Sequence, residues 1–412
     1  MKVLFTRNEY IVFFLKSKID SNLYNLTVKN EHRSFRILIH CKNFINRIAS
    51  RLKSHKCTVY YTIDTLNCIC ASASSFMINR LTEYPEIDYI TLDNFASICA
   101  HNVHSANNVS TALANNSKLT GRGIRIGIID TGVYPHKDLK YPTPKIHKFL
   151  DLINGLNYPY DDNGHGTFMS GLIAASGSSS KGKYMGIAPE TSIYMIKAFE
   201  ATGKAYVSSI LAALNILIKE SAENNIRIIC LPFETFFQDS FIDSMFSRLF
   251  TLANKNNLAV VVPSGSNKND KNSMIGISTL SNCVTVSGVT SSIPKKIYTY
   301  SSSGPCGKPE KPDLCAACTD LTSLNCDTSF VSERNGIKLY PRELKEAYTT
   351  YTGTSCAAAF TTGILALLFE KNPDLKYKDA VSMIKTSCKL LNVPKWQQGY
   401  GCIDFKDLFF DN

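Results

Sequence analysis

Beyond Gly121 the chain repeats one pattern that few folds accommodate: short, densely apolar runs alternating with helical stretches. "IRIGIID", "SIYMIKAF", "IRIICL" and "LAVVVP" place apolar residues on both alternating faces, so each strand must be covered on both sides. Helical patterns near residues 207–223 and 240–255 separate them. This alternation predicts an α/β domain, a mostly parallel sheet with helices on both faces, whose function gathers at the carboxyl ends of the strands.

The first hundred residues follow a different plan. A strand-like run, "YIVFFLK", precedes a helical pattern over 41–56, where Phe44, Ile45, Ile48 and Leu52 share one face. "CTVYYTI" and "CICASA" read as strands, residues 75–83 as a short helix and "IDYITL" as a last strand. The order β-α-β-β-α-β predicts a small ferredoxin-like α/β domain. The segment "NVHSANNVSTALANNS" is rich in Asn and Ser, a composition expected of an exposed linker. The expected organisation is therefore 1–98, a linker at 99–117, and a larger domain at 118–412.

Composition excludes several classes. The formal net charge of +11 is spread along the chain without a block of like charges, and aromatic-basic clusters are missing, which argues against a nucleic-acid partner. No run reaches the ~20 apolar residues of a membrane span. The apolar stretch near the N-terminus is short and interrupted by Arg7 and Glu9, so no export signal is recognised and cytoplasmic residence is expected. There the fourteen cysteines should stay reduced. Cys306, Cys315, Cys318 and Cys326 include a Cys-Ala-Ala-Cys spacing that could hold zinc, but the second pair lacks the usual close spacing, and buried free thiols are the expected reading.

Three residues carry chemistry. Asp130 ends the strand "IRIGIID"; His165 lies in "DDNGHGTFMSGLIAA" between two glycines; Ser355 lies in "TYTGTSCAAAFTTG", at the start of an apolar helix. Taken singly, each has a plain structural role: a turn aspartate, a surface histidine near a cap, an N-cap serine. Together they form the set that acyl transfer requires. A hydroxyl is a poor nucleophile until an imidazole takes its proton, and a carboxylate fixes the imidazole's tautomer and steadies its cation.

The blocks "GIIDTGVYPHKDL", "YDDNGHGTFMSGLIA" and "GTSCAAAFTTGILALL", in that order, resemble the signature blocks of subtilisin-like serine proteases. "GKYMGIAPETSIYMIKAF", "SSSGPCGKPEKPDL" and "GYGCIDFKDLF" resemble the linking pieces of the family's bacterial intracellular-type branch. The resemblance covers residues 118–409. It implies Asp130 as orienting acid, His165 as general base and Ser355 as nucleophile, with no cofactor required for the chemistry. It also implies structural calcium, for which no ligand set aligns. Residues 10–93 more distantly resemble the family's propeptide, an intramolecular inhibitor and folding chaperone, which implies a zymogen with a maturation cut within 94–117.

Two departures bear on activity. The family's oxyanion asparagine aligns with Ser266 in "VVVPSGSNKND", with Asn267 one residue late. Loss of that asparagine in a subtilisin costs about 100- to 1000-fold in turnover, the measured precedent for this position. The family's Ser-Leu-Gly groove segment is here Pro232-Phe233-Glu234, where proline lacks an N–H and glutamate adds bulk and charge. The expectation is a serine endopeptidase acting on peptide or protein substrates with narrow specificity. The alternative is a weakly active or inactive pseudoprotease that binds peptides.

Overall fold

The computed structural model describes residues 18–29, 33–64, 67–93, 103–110, 116–235, 240–305 and 310–410. The chain divides into two compact units, Met1–Ile98 and Cys99–Asn412.

In the first unit, helix α1 (Ser21–Lys29) precedes β1 (Phe35–Cys41), α2 (Ile45–Ser54), β2 (Thr58–Ile63), β3 (Cys68–Ala73), α3 (Ser75–Thr82) and β4 (Ile87–Leu92). The sheet order is β2-β3-β1-β4 with every described pairing antiparallel, the split βαβ plan. Its first described strand is "FRILIHC"; the run at residues 10–16, expected in that place, lies outside the described residues. Phe35, Ile37, Ile39 and Cys41 alternate inward and are buried, a period-two signal that the neighbouring helical pattern obscured.

The second unit is organised by a nine-stranded sheet. Its parallel body contains β5 (Arg125–Asp130), β6 (Ile146–Asp151), β7 (Ser192–Lys197), β8 (Ile226–Cys230), β9 (Ala259–Pro263), β10 (Val284–Val289) and β11 (Leu314–Ala317). These lie in the order β6-β7-β5-β8-β9-β10-β11. A hairpin, β12 (Leu321–Leu324) with β13 (Tyr348–Tyr351), stands apart, and β14 (Cys388–Lys389) with β15 (Cys402–Ile403) completes the sheet beyond β11. Two apolar cores form. One surrounds α4 (His165–Ala174) and α7 (Thr354–Lys371); the other is filled from α5 (Val207–Lys219) and α6 (Ser240–Lys255). Helix α7 is buried nearly all round from Thr354 to Phe369, which is why its sequence lacks a polar stripe.

The linker expectation is corrected for part of its length. Residues 103–106 form a short helix, and Val103, Ala106 and Val109 are buried in the α4–α7 core. Asn107, expected to be solvated, is buried: its Oδ1 accepts from the Ala317 N–H at 2.9 Å and its Nδ2 donates to the Val103 carbonyl at 3.0 Å. Such hydrogen bonds let a polar sequence enter a core. Residues 94–102 and 111–115 lie outside the described set.

Near β10 and β11 the buried Asp313 accepts from Lys311 Nζ at 2.5 Å, Lys385 Nζ at 2.7 Å and the Thr285 N–H at 2.8 Å. Burial works against its charge, but the two ammonium groups hold its carboxyl below the usual aspartate range. A depressed folded-state pKa means that the unfolded chain takes up the proton first. The stabilisation is therefore present above the unfolded value of about 3.9 and is lost as pH falls through the folded value. Asp313→Asn should cost about 3–5 kcal/mol in urea denaturation at neutral pH, because it leaves the Lys311 ammonium buried with the Cys283 carbonyl but without its counter-charge. The loss should shrink towards acid.

Candidate active site

Asp130 closes β5 and is buried, with Oδ1 accepting from the Thr131 N–H at 2.7 Å. His165 opens α4, and its Nδ1 lies 2.9 Å from each Asp130 oxygen. A carboxylate only accepts, so Nδ1 carries the proton and Nε2 keeps its lone pair. The imidazole meets the Tyr351 ring edge-on, with centroids 5.6 Å apart. Gly166 is required next to it: a Cβ there would lie 2.1 Å from the Gly132 carbonyl oxygen.

The loop carrying His165 is braced by Asp161, which the sequence reading passed over. Asp161 Oδ1 accepts from the Asn163 N–H, the Gly164 N–H and Thr131 Oγ1 at 2.8 to 3.1 Å. Its Oδ2 accepts from the Thr167 N–H at 2.8 Å and the Thr167 hydroxyl at 2.6 Å. Thr131 Oγ1 in turn accepts from the Gly166 N–H at 3.0 Å, tying the turn after Asp130 to the start of α4. Beneath them the fully buried Lys197 donates to the Thr131 carbonyl at 2.7 Å, the Phe199 carbonyl at 2.9 Å and Asp162 at 2.6 Å. The doubled aspartate in "YDDNGHG" and the lysine ending an apolar strand were the available signals.

Burial pulls the His165 pKa down, but the charge and hydrogen bond of Asp130, helped by the Asp161 charge, raise it above its ordinary value. A general base must be neutral, so kcat/KM should fall on the acid side with a midpoint above about 6.5. Asp130→Asn should move that midpoint down and lower kcat by about 10⁴-fold, following the precedent of serine proteases. A pH–rate profile of both forms checks this.

Ser355 is the second residue of α7, and the N-cap is Gly353, so the hydroxyl does not cap the helix. It donates instead to the Pro232 carbonyl at 2.7 Å. One hydroxyl proton serves one such bond, so in this rotamer it is not directed to His165. The first turn of α7 has no side-chain cap, and although the Cys356 N–H donates to the Gly353 carbonyl at 3.0 Å, the positive end of the helix lies at the serine.

Asp130, His165 and Ser355 line one cleft of about 520 Å³ together with Pro232, Phe233, Glu234 and Tyr351. Phe233 packs on Phe199 with ring centroids 5.0 Å apart. The oxyanion candidates are placed differently from expectation. Glu234 accepts from the Ser266 N–H at 2.7 Å and from the Ser266 hydroxyl, so both donors are taken by a carboxylate. Gly265, at φ 101°, makes room for it, since a Cβ there would lie 2.7 Å from Glu234 Oε2. Asn267 directs its Nδ2 to the Ser273 carbonyl at 3.4 Å and its N–H to Ser302 Oγ at 2.7 Å. Neither Ser266 nor Asn267 is among the described residues lining the cleft.

The cysteine grouping does not form a cluster. Cys315 faces Cys402, Cys318 is fully buried, and Cys326 packs by the Asp161 carbonyl at 3.7 Å; Cys306 lies outside the described residues. Among the described residues no group of three or more His, Cys, Asp or Glu side chains is placed to hold a metal ion, whether zinc or the calcium common in such proteins. No helix of the described residues is long and apolar enough to cross a membrane.

A parallel sheet bearing a carboxylate–imidazole pair and a serine hydroxyl in one cleft at its strand ends defines the class of serine hydrolases. The chain belongs to the Subtilase family, whose model matches residues 121–402, and is a serine endopeptidase. It is 28% identical over 349 residues to the serine protease AprX of Bacillus subtilis (strain 168), covering 82% of this chain and 76% of that protein. It is 31% identical over 155 residues to an alkaline protease of Alkalihalobacillus alcalophilus, of which it matches 39%. Among solved structures, a cold adapted subtilisin-like serine proteinase is similar at TM-score 0.53 and 19% identity, covering 68% of this chain and 87% of that one. Sphericase is similar at TM-score 0.55 and 21% identity, covering 72% and 91%. These two likenesses concern the fold. The inactive pseudoprotease alternative gains no support from these relatives.

Proposed function

We propose that the chain cleaves peptide bonds through an acyl-enzyme on Ser355, with His165 as general base and Asp130 as its orienting partner. The observation that carries this reading is the 2.9 Å contact of His165 Nδ1 with both Asp130 oxygens, in the cleft that also holds Ser355. For reaction, Ser355 Oγ turns from the Pro232 carbonyl towards Nε2. An extended substrate along residues 232–234 favours this turn, because its N–H groups compete for that same carbonyl. Proline at 232 is then tolerable: the groove uses its carbonyl, not an N–H. The hydroxyl proton passes to Nε2 as the oxygen attacks the carbonyl carbon. Backbone N–H groups at the start of α7 stabilise the oxyanion, and the imidazolium returns the proton to the leaving amine. Water then releases the acyl group.

Narrow peptide specificity fits Glu234, whose charge in the cleft favours Lys or Arg near the cut. The first unit, 1–98, fits an intramolecular inhibitor and chaperone, and the unpaired thiols fit cytoplasmic residence, which cell fractionation checks. The maturation cut belongs within 94–102. A cut inside 103–110 would require extraction of Val103, Ala106 and Val109 from the core. Mass spectrometry of the protein expressed as the full chain should show a fragment beginning at or before Val103. A mature N-terminus beyond Val103 would contradict this boundary.

A further inference from the structure

Outside the lining of the cleft, Cys315 on β11 and Cys402 on β15 are direct cross-strand partners, and their Sγ atoms are 3.3 Å apart. Neighbouring strands lie about 4.8 Å apart, within the ~4.4–6.8 Å between Cα atoms that a disulfide spans. Closing the sulfurs to about 2.05 Å therefore needs side-chain rotation and no displacement of the strands. The two thiols are unequal. Cys315 is buried, whereas Cys402 is partly exposed and open to a small oxidant. The two sulfurs share one hydrogen bond in which either can donate, the nearby Lys295 ammonium favours a thiolate in the pair, and exposure makes Cys402 the one an oxidant reaches. The neighbouring Cys388 is registered with Ile403, and its Sγ is engaged with the Ile384 carbonyl at 3.1 Å.

We propose that Cys315 and Cys402 form an oxidative modification site, at which a peroxide converts them into a reversible cross-strand disulfide. The Cys402 thiolate attacks the peroxide, the O–O bond breaks, and a sulfenic acid and hydroxide form. Cys315 sulfur then attacks the Cys402 sulfur, its proton leaving with the displaced hydroxyl as water. Two thiols and one hydrogen peroxide give one disulfide and two waters, the sulfurs losing the two electrons that the peroxide gains.

The cross-link would act where two strands of the sheet are thinly paired. One registered pair joins β15 to β11, with the Cys315 N–H donating to the Gly401 carbonyl at 3.0 Å. The bridge closes an 87-residue separation that includes Ser355 and all of α7, and so restricts the unfolded chain. A bridge partly exposed at Cys402 is open to thiol reductants, which suits a reversible mark.

The test uses the full chain carrying Ser355→Ala, so that its outcome does not depend on proteolysis. Titration with hydrogen peroxide should lower the intact mass by about 2 Da, link the Cys315 and Cys402 peptides in a non-reducing map, and raise Tm by on the order of 5 °C. Dithiothreitol should reverse all three changes. In a Cys315→Ser variant, dimedone should trap a sulfenic acid at Cys402. The proposal is overturned if both thiols remain free while other cysteines oxidise, or if the mapped bridge is Cys388–Cys402.

Discussion

Ser355→Ala is expected to lower turnover of a good peptide substrate by about 10⁴- to 10⁶-fold, the upper figure being the measured precedent in a subtilisin. The same variant should accumulate as the uncut 412-residue chain. Its fold should survive, because alanine suits a helix interior and the lost bond to the Pro232 carbonyl is worth about 1 kcal/mol. A Tm within a few degrees of the parent, together with lost turnover, assigns the effect to chemistry. If parent and variant were cut alike, self-maturation would lose its support and another protease would have to act on the chain.

The second large effect concerns Glu234 and Ser266. Because Glu234 holds both the N–H and the hydroxyl of Ser266, Ser266→Asn alone should gain little: the new carboxamide meets the same carboxylate. Glu234→Gly combined with Ser266→Asn should raise kcat by about 10- to 100-fold with a smaller change in KM, since the freed donor meets charge present only in the transition state. Tenfold corresponds to about 1.4 kcal/mol, within the reach of one such donor. The two changes should therefore be strongly non-additive. Glu234→Gly should also erase the proposed preference for Lys or Arg, which in the parent should weaken with salt. A full gain from Ser266→Asn alone would show that Glu234 does not occupy the donors in solution. A selective loss of turnover in Asn267→Ala would move the oxyanion donor to Asn267.

What was legible in the sequence is local. The strands of the parallel sheet announce themselves because burial on both faces makes each run apolar throughout, and Asp130, His165 and Ser355 each sit in a short glycine-framed block at an element's end. Residues 35–41 were missed because their alternation abuts the helical pattern of α2. The burial of Val103, Ala106, Asn107 and Val109 was hidden because Asn107 is satisfied by Ala317, a partner 210 residues away. Asp161 and Lys197 were passed over for a related reason: a carboxylate accepting five hydrogen bonds and a lysine buried under a turn look like ordinary polar residues until the fold surrounds them. The Glu234–Ser266 pairing joins the ends of two neighbouring strands, and only the strand order brings those residues together.

The most direct measurement is labelling of the processed protein with a fluorophosphonate, which bonds only to a serine oxygen activated as a nucleophile, with loss of fluoride. The account predicts one adduct per molecule, mapped by peptide mass to Ser355 and formed more slowly as His165 becomes protonated in acid. Protein with the first unit removed that takes up no probe, or takes it up at another serine, would contradict it.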